Sequence, residues 1–270
     1  LYHSVMAIPL NWRMLAARLV LLLPALALLP MAASAQTADE IINKYIAARG
    51  GLAKIHAVQS ERVTGTISFG PGAEGPFMVE RKRPLKMHME ITVAGKTLIR
   101  TYDGKSSGWV YNPFGPNPSV AAMTDADLHG IVDEADFEGP FVDYKAKGNK
   151  IEYAGKEDVE DKPAYKIKLT NKSGDTSFFL FDAATNLILK WEGTRKVGDK
   201  NVPWESFFRD FREVDGLKYP FLIESDAPGS DQVQRIAADK IEVNLPMSDA
   251  RFGKPTAPEP AAPVAASPKP

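Results

Sequence analysis

The sequence predicts a mainly β chain with flanking helices: one long antiparallel sheet that curls, preceded by one amphipathic helix and interrupted by another. Three observations carry this. From Glu61 onward the apolar period is two instead of near 3.6. Gly, Asp or Asn recurs about every ten residues, as in consecutive hairpins and unlike βαβ units. Apolar residues at helical spacing appear ahead of Gly50 and again after Thr124. The pattern holds about ten to twelve strands, more than a flat open sheet usually carries without curling.

At the start of the chain, Arg13 and Arg18 precede an apolar run over 19–29, broken by Pro24, and Ala33-Ser34-Ala35 offers the small residues that signal peptidase accepts. A signal peptide over 1–35, cleavage after Ala35 and a periplasmic protein are expected. The run falls short of the about 20 residues that a membrane anchor needs. Residues 36–254 are expected to form one domain. Beyond it, residues 255–270 read PTAPEPAAPVAASPKP, a disordered Pro/Ala-rich tail with little to bury.

Within the domain, Thr37 and Glu40 form a capping box, and Ile41, Ile42, Tyr45 and Ile46 give the first helix its apolar stripe before Gly50-Gly51 stops it. A short helical turn is expected over 52–58. Strands follow over 62–69, 77–83, 86–93, 96–102 and 108–112, then over 150–159, 164–171, 176–182, 187–197, 203–214, 220–225 and 234–244. Ala94-Gly95, Asp103-Gly104 and Asp215-Gly216 supply turn residues that tolerate positive φ. Between the two strand series, Thr124 can cap a helix from Asp125 with Leu128, Ile131, Val132 and Ala135 on one face. Both helices need an apolar surface, and the concave side of a curled sheet offers one.

Strand faces sharpen the picture. Over 86–93, Met87, Met89, Ile91 and Val93 alternate with Lys86, His88, Glu90 and Thr92. Tyr165, Ile167 and Leu169 alternate with lysines and Thr170, and Leu187, Leu189 and Trp191 with Ile188, Lys190 and Glu192. One face is apolar and the other is solvated, as antiparallel sheets permit. Such an apolar face serves either as a filled core or as a ligand wall. Methionine suits adaptable binding surfaces, and the Pro/Gly-rich stretch 113–118 places the inserted helix as a lid.

Several chemistries are excluded. The chain has no cysteine, so disulfides, thiolate metal sites and a cysteine nucleophile are absent. With 33 basic and 34 acidic residues there is no nucleic-acid footprint. His56, His88 and His129 fall in no metal-binding spacing, and no G-x-S-x-G elbow occurs. The acidic run from Asp125 to Asp136 imitates a calcium loop but has His129 at an oxygen-ligand position. No metal or cofactor is expected.

Taken in order, Arg83-Pro84-Leu85-Lys86-Met87, the hairpin Tyr102-Asp103-Gly104-Lys105 leading to Gly108-Trp109, and Asp215-Gly216-Leu217-Lys218-Tyr219-Pro220-Phe221 resemble the LolA-like outer-membrane lipoprotein-sorting family. Ile241-Glu242-Val243-Asn244 followed by Phe252 adds to the likeness, which spans nearly the whole domain. The resemblance implies an incomplete antiparallel β-barrel (a half-barrel) covered by helices, whose apolar hollow holds acyl chains. It also implies a non-enzymatic, monomeric periplasmic carrier or chaperone, with a lipid or lipoprotein acyl chain as ligand and inner- and outer-membrane proteins as candidate partners. Met87, Met89, Ile91, Val93, Trp109, Ile167, Leu169, Leu189 and Trp191 are the expected cavity wall, and Leu128, Ile131 and Val132 the lid. The alternative is an envelope-stress sensor or regulatory binding protein built on the same half-barrel. An envelope lipid hydrolase has least support, because no nucleophile–base pair is present.

Overall fold

The computed structural model describes residues 36–197, 200–227 and 232–257. The expected signal peptide, 1–35, and residues 258–270 of the expected tail lie outside the described residues.

Among the described residues two helices come first, α1 (Ala38–Arg49) and α2 (Leu52–Ala57). Six strands follow: β1 (Ser60–Ser68), β2 (Glu74–Lys82), β3 (Lys86–Val93), β4 (Lys96–Tyr102), β5 (Gly108–Tyr111) and β6 (Val120–Ala122). After α3 (Asp125–Ala135) come β7 (Lys150–Val159), β8 (Lys162–Thr170), β9 (Thr176–Asp182), β10 (Ile188–Val197), β11 (Lys200–Val214), β12 (Leu217–Asp226) and β13 (Gln234–Val243). A single 3-10 turn, Asp249–Phe252, closes the series.

All thirteen strands form one antiparallel sheet, in the order β6-β5-β4-β3-β2-β1-β13-β12-β11-β10-β9-β8-β7. The sheet stays open, with β6 and β7 at its edges although they are successive in the chain. The link between them must therefore traverse the sheet from edge to edge. It does so on the apolar face: Met123, Ile131 and Ala135 pack in one cluster, Phe137 and Val142 in a second, and Phe141 in a third. Ile46 joins two of these clusters and Val63 joins two, so the concave face is one continuous apolar surface.

Local chemistry explains the helices. In α1 the Glu40 amide donates to Thr37 Oγ1 at 3.2 Å and the Thr37 amide to Glu40 Oε2 at 2.9 Å, completing the capping box. Thr124 and Asp127 repeat it in α3, at 3.2 Å in each direction. The α1–α2 joint rests on the β11–β12 turn. There Gly50 has φ +126°, and a Cβ would come within 2.3 Å of the Gly216 carbonyl, so only glycine allows this approach.

The sequence reading differs from the structure at a few boundaries. β6 is a three-residue edge strand too short to show alternation, and it went unrecognised in the Pro-rich stretch. β2, β11 and β12 each begin three residues earlier than expected, at Glu74, Lys200 and Leu217. Pro76 and Pro203 lie near strand starts where, among the described residues, only one neighbouring strand pairs with them, β1 and β10 respectively, so neither interrupts a two-sided ladder.

The outer face of β1–β4 is not bare. The chain after β13 crosses it strand by strand: Ser60 Oγ donates to the Leu245 carbonyl (2.7 Å), Lys82 Nζ to that of Met247 (2.8 Å) and Thr101 Oγ1 to that of Gly253 (2.9 Å). Beneath this strap the Glu80 side chain, 0% exposed, takes hydrogen bonds from Arg62 at 2.8 and 2.6 Å and from Arg251. Burial opposes the charge of Glu80, but the bonds from Arg251 and Arg62 outweigh it and hold the carboxyl below the usual carboxylate range.

Candidate ligand-binding site

On the concave side of β1–β5, Met87 is fully buried and Met89 and Ile91 partly so, in one cluster with Phe77, Val79 and Val110. Helix α3 lies on them. Ile131 is 0% exposed, and Leu128 and Val132 are half-buried against the same cluster. Gly108 makes this seating possible. A Cβ there would meet Met123 Sδ at 2.6 Å and Leu128 Cδ2 at 2.9 Å, so a larger residue would have to push these two side-chain ends aside.

Ile167, Leu169 and Trp191 also face inward, but under α1 and apart from the methionines. They pack with Ile41, Ile42, Tyr45 and Phe141. Val93 is on the concave side by alternation with Met87, Met89 and Ile91, and it is half-buried at the strand end.

Two expected wall residues sit elsewhere. Trp109 pairs with Thr101, Thr101 with His88 and His88 with Glu80, so its side chain shares the outer face with that strapped row. Its neighbour Val110 is the inward residue. Leu189 falls on a register shift between Ile188 and Lys190. The extra residue reverses the alternation. Ile188 and Trp191 therefore face α1, whereas Leu189 packs on the other face with Val159, Ala164 and Leu180.

No protein-family model matches the sequence, and no curated protein matches it. Solved structures do. A DUF1329 family protein from Desulfovibrio piger superposes with a TM-score of 0.53 at 16% identity, over 80% of this chain and 96% of that one. LolA superfamily protein NE2245 from Nitrosomonas europaea gives 0.52 at 17% identity, over 81% and 98%. A domain from Vibrio parahaemolyticus named for outer membrane lipoprotein sorting gives 0.50 at 11%, over 80% and 95%. This chain has the LolA-like fold.

In this LolA-like half-barrel the side-chain ties of the crossing segment gather at the C-terminal end of α3 and just past it. Arg81 Nε donates to the Glu134 carbonyl (2.7 Å), Arg49 Nη1 to the Glu138 carbonyl (2.6 Å) and Arg83 Nη2 to Glu138 Oε1 (2.5 Å). Lys147 Nζ holds Asp136 at 2.5 Å. Near its middle, α3 has the exposed contact of His129 with Asp175 in the β8–β9 turn, at 3.3 Å. Desolvation raises the Asp133 carboxyl above its usual range; His129 opposes the shift, and the charges of Asp136, Asp175 and Glu134 add to it. Sequence reasoning missed Phe137, Phe141 and Val142 as cover and Arg49, Arg81 and Arg83 as ties. Phe137, Phe141 and Val142 follow no helical or strand period, whereas Arg49 continues the Ile42–Tyr45 stripe of α1 and Arg81 the Phe77–Val79 face of β2, so a cation at an inward position was the signal available.

The concave face is occupied by the protein's own helices and crossing segment, so wall and lid meet directly. Two open grooves, of about 480 and 580 Å³, lie instead around β11, away from the methionines. Among the described residues no three His, Asp or Glu side chains converge as a metal site would require, and no helix is long and apolar enough to cross a membrane.

Proposed function

We propose that this chain is an exported lipid-binding carrier that shelters an acyl chain against the methionine-lined concave face when α3 swings aside. One observation carries the reading: α3 meets its wall through methionine and aliphatic side chains, several only half-buried, while its side-chain ties are concentrated at its C-terminal end. Among the described residues only the Met123 amide, bonded to the Gly108 carbonyl at 2.9 Å, holds the chain just ahead of it. A helix held that way can pivot on its tied end. The LolA-like fold supports the same reading, as does the export segment read from residues 1–35.

Magnitudes favour exchange. A chain burying about twelve methylenes gains about 10 kcal/mol at about 0.8 kcal/mol each. Uncovering the buried Met123 and Ile131 costs about 3–6 kcal/mol and the half-buried Leu128 and Val132 about half as much again. The lid thus offsets much of the ligand's gain from water and leaves a modest surplus, as reversible delivery requires.

Native mass spectrometry of gently purified protein is expected to show a lipid adduct, and a fluorescent fatty acid should be taken up. Because the chain has no cysteine, Gly108→Cys with Leu128→Cys would form a single disulfide between sheet and lid. Oxidation should cut uptake at least tenfold, and a reductant should restore it. Absence of both adduct and uptake would overturn the carrier reading.

A further inference from the structure

Strand β11 is fifteen residues long and outruns its neighbour. Pairing with β10 ends at Lys190–Phe207, whereas pairing with β12 continues to Val214–Leu217. Past Phe207 the sheet has no β10 partner, and the β9–β10 turn, closed by the Leu187 carbonyl accepting from the Asp182 amide at 2.9 Å, stands beside the gap. The groove of about 580 Å³ fills this split. Its volume lies in the range of pockets that enclose one small amphiphile.

Two features of its lining point to a ligand. First, the groove is lined from both faces of the sheet. Leu189 and Phe207 belong to the outer face, while Phe208 packs with the α1 cluster and Ala48 lies on α1 itself. Second, its rim carries Lys162 and Lys218, and among the described residues no carboxylate lies within ion-pair distance of either. Other charges at the rim are engaged. Arg209 is bound by Glu160 at 2.5 Å and Glu224 at 2.8 Å, Asp210 by Arg212 at 2.5 Å, and Asp182 accepts from the Ala184 amide at 2.8 Å. Glu160 feels Lys162 only as a more distant charge, behind its bonds to Arg209.

We propose that this split is a second ligand site, which takes a single-chain anionic amphiphile. Its carboxylate or phosphate sits between Lys162 and Lys218, and its chain runs inward past Leu189 to Phe208 and Ala48. The choice of an amphiphile rests on the carrier reading; the site itself stands on the gap, the apolar passage and the two lysines.

Titration calorimetry of the purified protein with dodecyl phosphate tests it. With α3 locked by the disulfide between positions 108 and 128, one equivalent should still bind. Lys162→Glu with Lys218→Glu should weaken that binding at least tenfold, while affinity for uncharged dodecyl maltoside changes less than twofold. In the unlocked protein, Leu189→Trp, which fills the groove, should remove one equivalent and leave fatty-acid uptake beneath α3 intact. No binding to the locked protein, or binding that the paired lysine changes leave unaltered, would overturn the site. Binding to the locked protein without any uptake beneath α3 would sink the carrier reading and support the groove.

Discussion

The two helices that lie on the same concave face are held by different chemistry. Where α1 packs, its Tyr45 joins Phe141, Phe179 and Phe181 in edge-to-face pairs with ring centroids 4.7–5.9 Å apart, a rigid contact set with defined geometry. Beneath α3 there are Met87, Met89, Met123, Ile91 and Val110, flexible or small and indifferent to angle. The supporting strands differ in the opposite sense. Around α3 the sheet is braced from outside by the strap and the buried Glu80 pairs, whereas on the β10–β11 side it is split by a groove. A sheet clamped on its outer face can keep an adaptable inner one, so α1 is read as scaffold and α3 as the moving part.

The largest expected effect tests the rigid side. Phe141→Ala should lower stability by about 3–5 kcal/mol in urea unfolding, because its ring touches three other aromatics and is 1% exposed. Leu128→Ala, on half-buried α3, should cost about 1 kcal/mol. Equal losses would erase the distinction between scaffold and lid.

Next is the outer brace. Glu80→Gln should cost about 2–3 kcal/mol, below the usual loss for a broken buried pair because both arginines are partly exposed. It also has a pH signature. A carboxyl whose folded pKa is depressed contributes stability above its unfolded value of about 4.3 and loses it as the pH falls through the folded value. Wild type should therefore lose stability on acidification below about pH 4.3 more steeply than Glu80→Gln, measured by urea midpoints across that range. Parallel curves would show that the strap does not depend on this charge.

The smallest effect compares the two matching caps. Thr37→Ala should lower global stability by about 1 kcal/mol. Thr124→Ala should remove a similar amount from α3 alone, seen as faster amide exchange in residues 125–135 with an unchanged global unfolding midpoint. A shift of the global midpoint in Thr124→Ala would mean that α3 unfolds only with the whole domain, and the lid would then have no independent motion.

Where alternation runs unbroken, the sequence was a sufficient guide. Met87, Met89 and Ile91 share the face that meets Leu128, Ile131 and Val132, and both capping boxes stand where Thr37 and Thr124 announced them. The candidate site was less legible. Leu189 is displaced by one extra residue in β10, and one residue reverses every side chain that follows when the period is two. Trp109 sits in Gly-Trp-Val-Tyr, apolar on both faces, so alternation there could not say which face is inside.

By itself, then, the sequence determined the local elements: helix starts set by cap hydrogen bonds, hairpins set by turn residues, and the shared face of each regular strand. These depend on neighbours a few residues apart. Only the tertiary structure decided that the hollow is filled by the chain's own crossing segment, that the C-terminal strap covers the outer face, and that β10 ends short of β11 to leave a passage. Those outcomes join residues such as Arg49 with Glu138 or Thr101 with Gly253, far apart in the chain, and periodicity holds no information about pairs so distant.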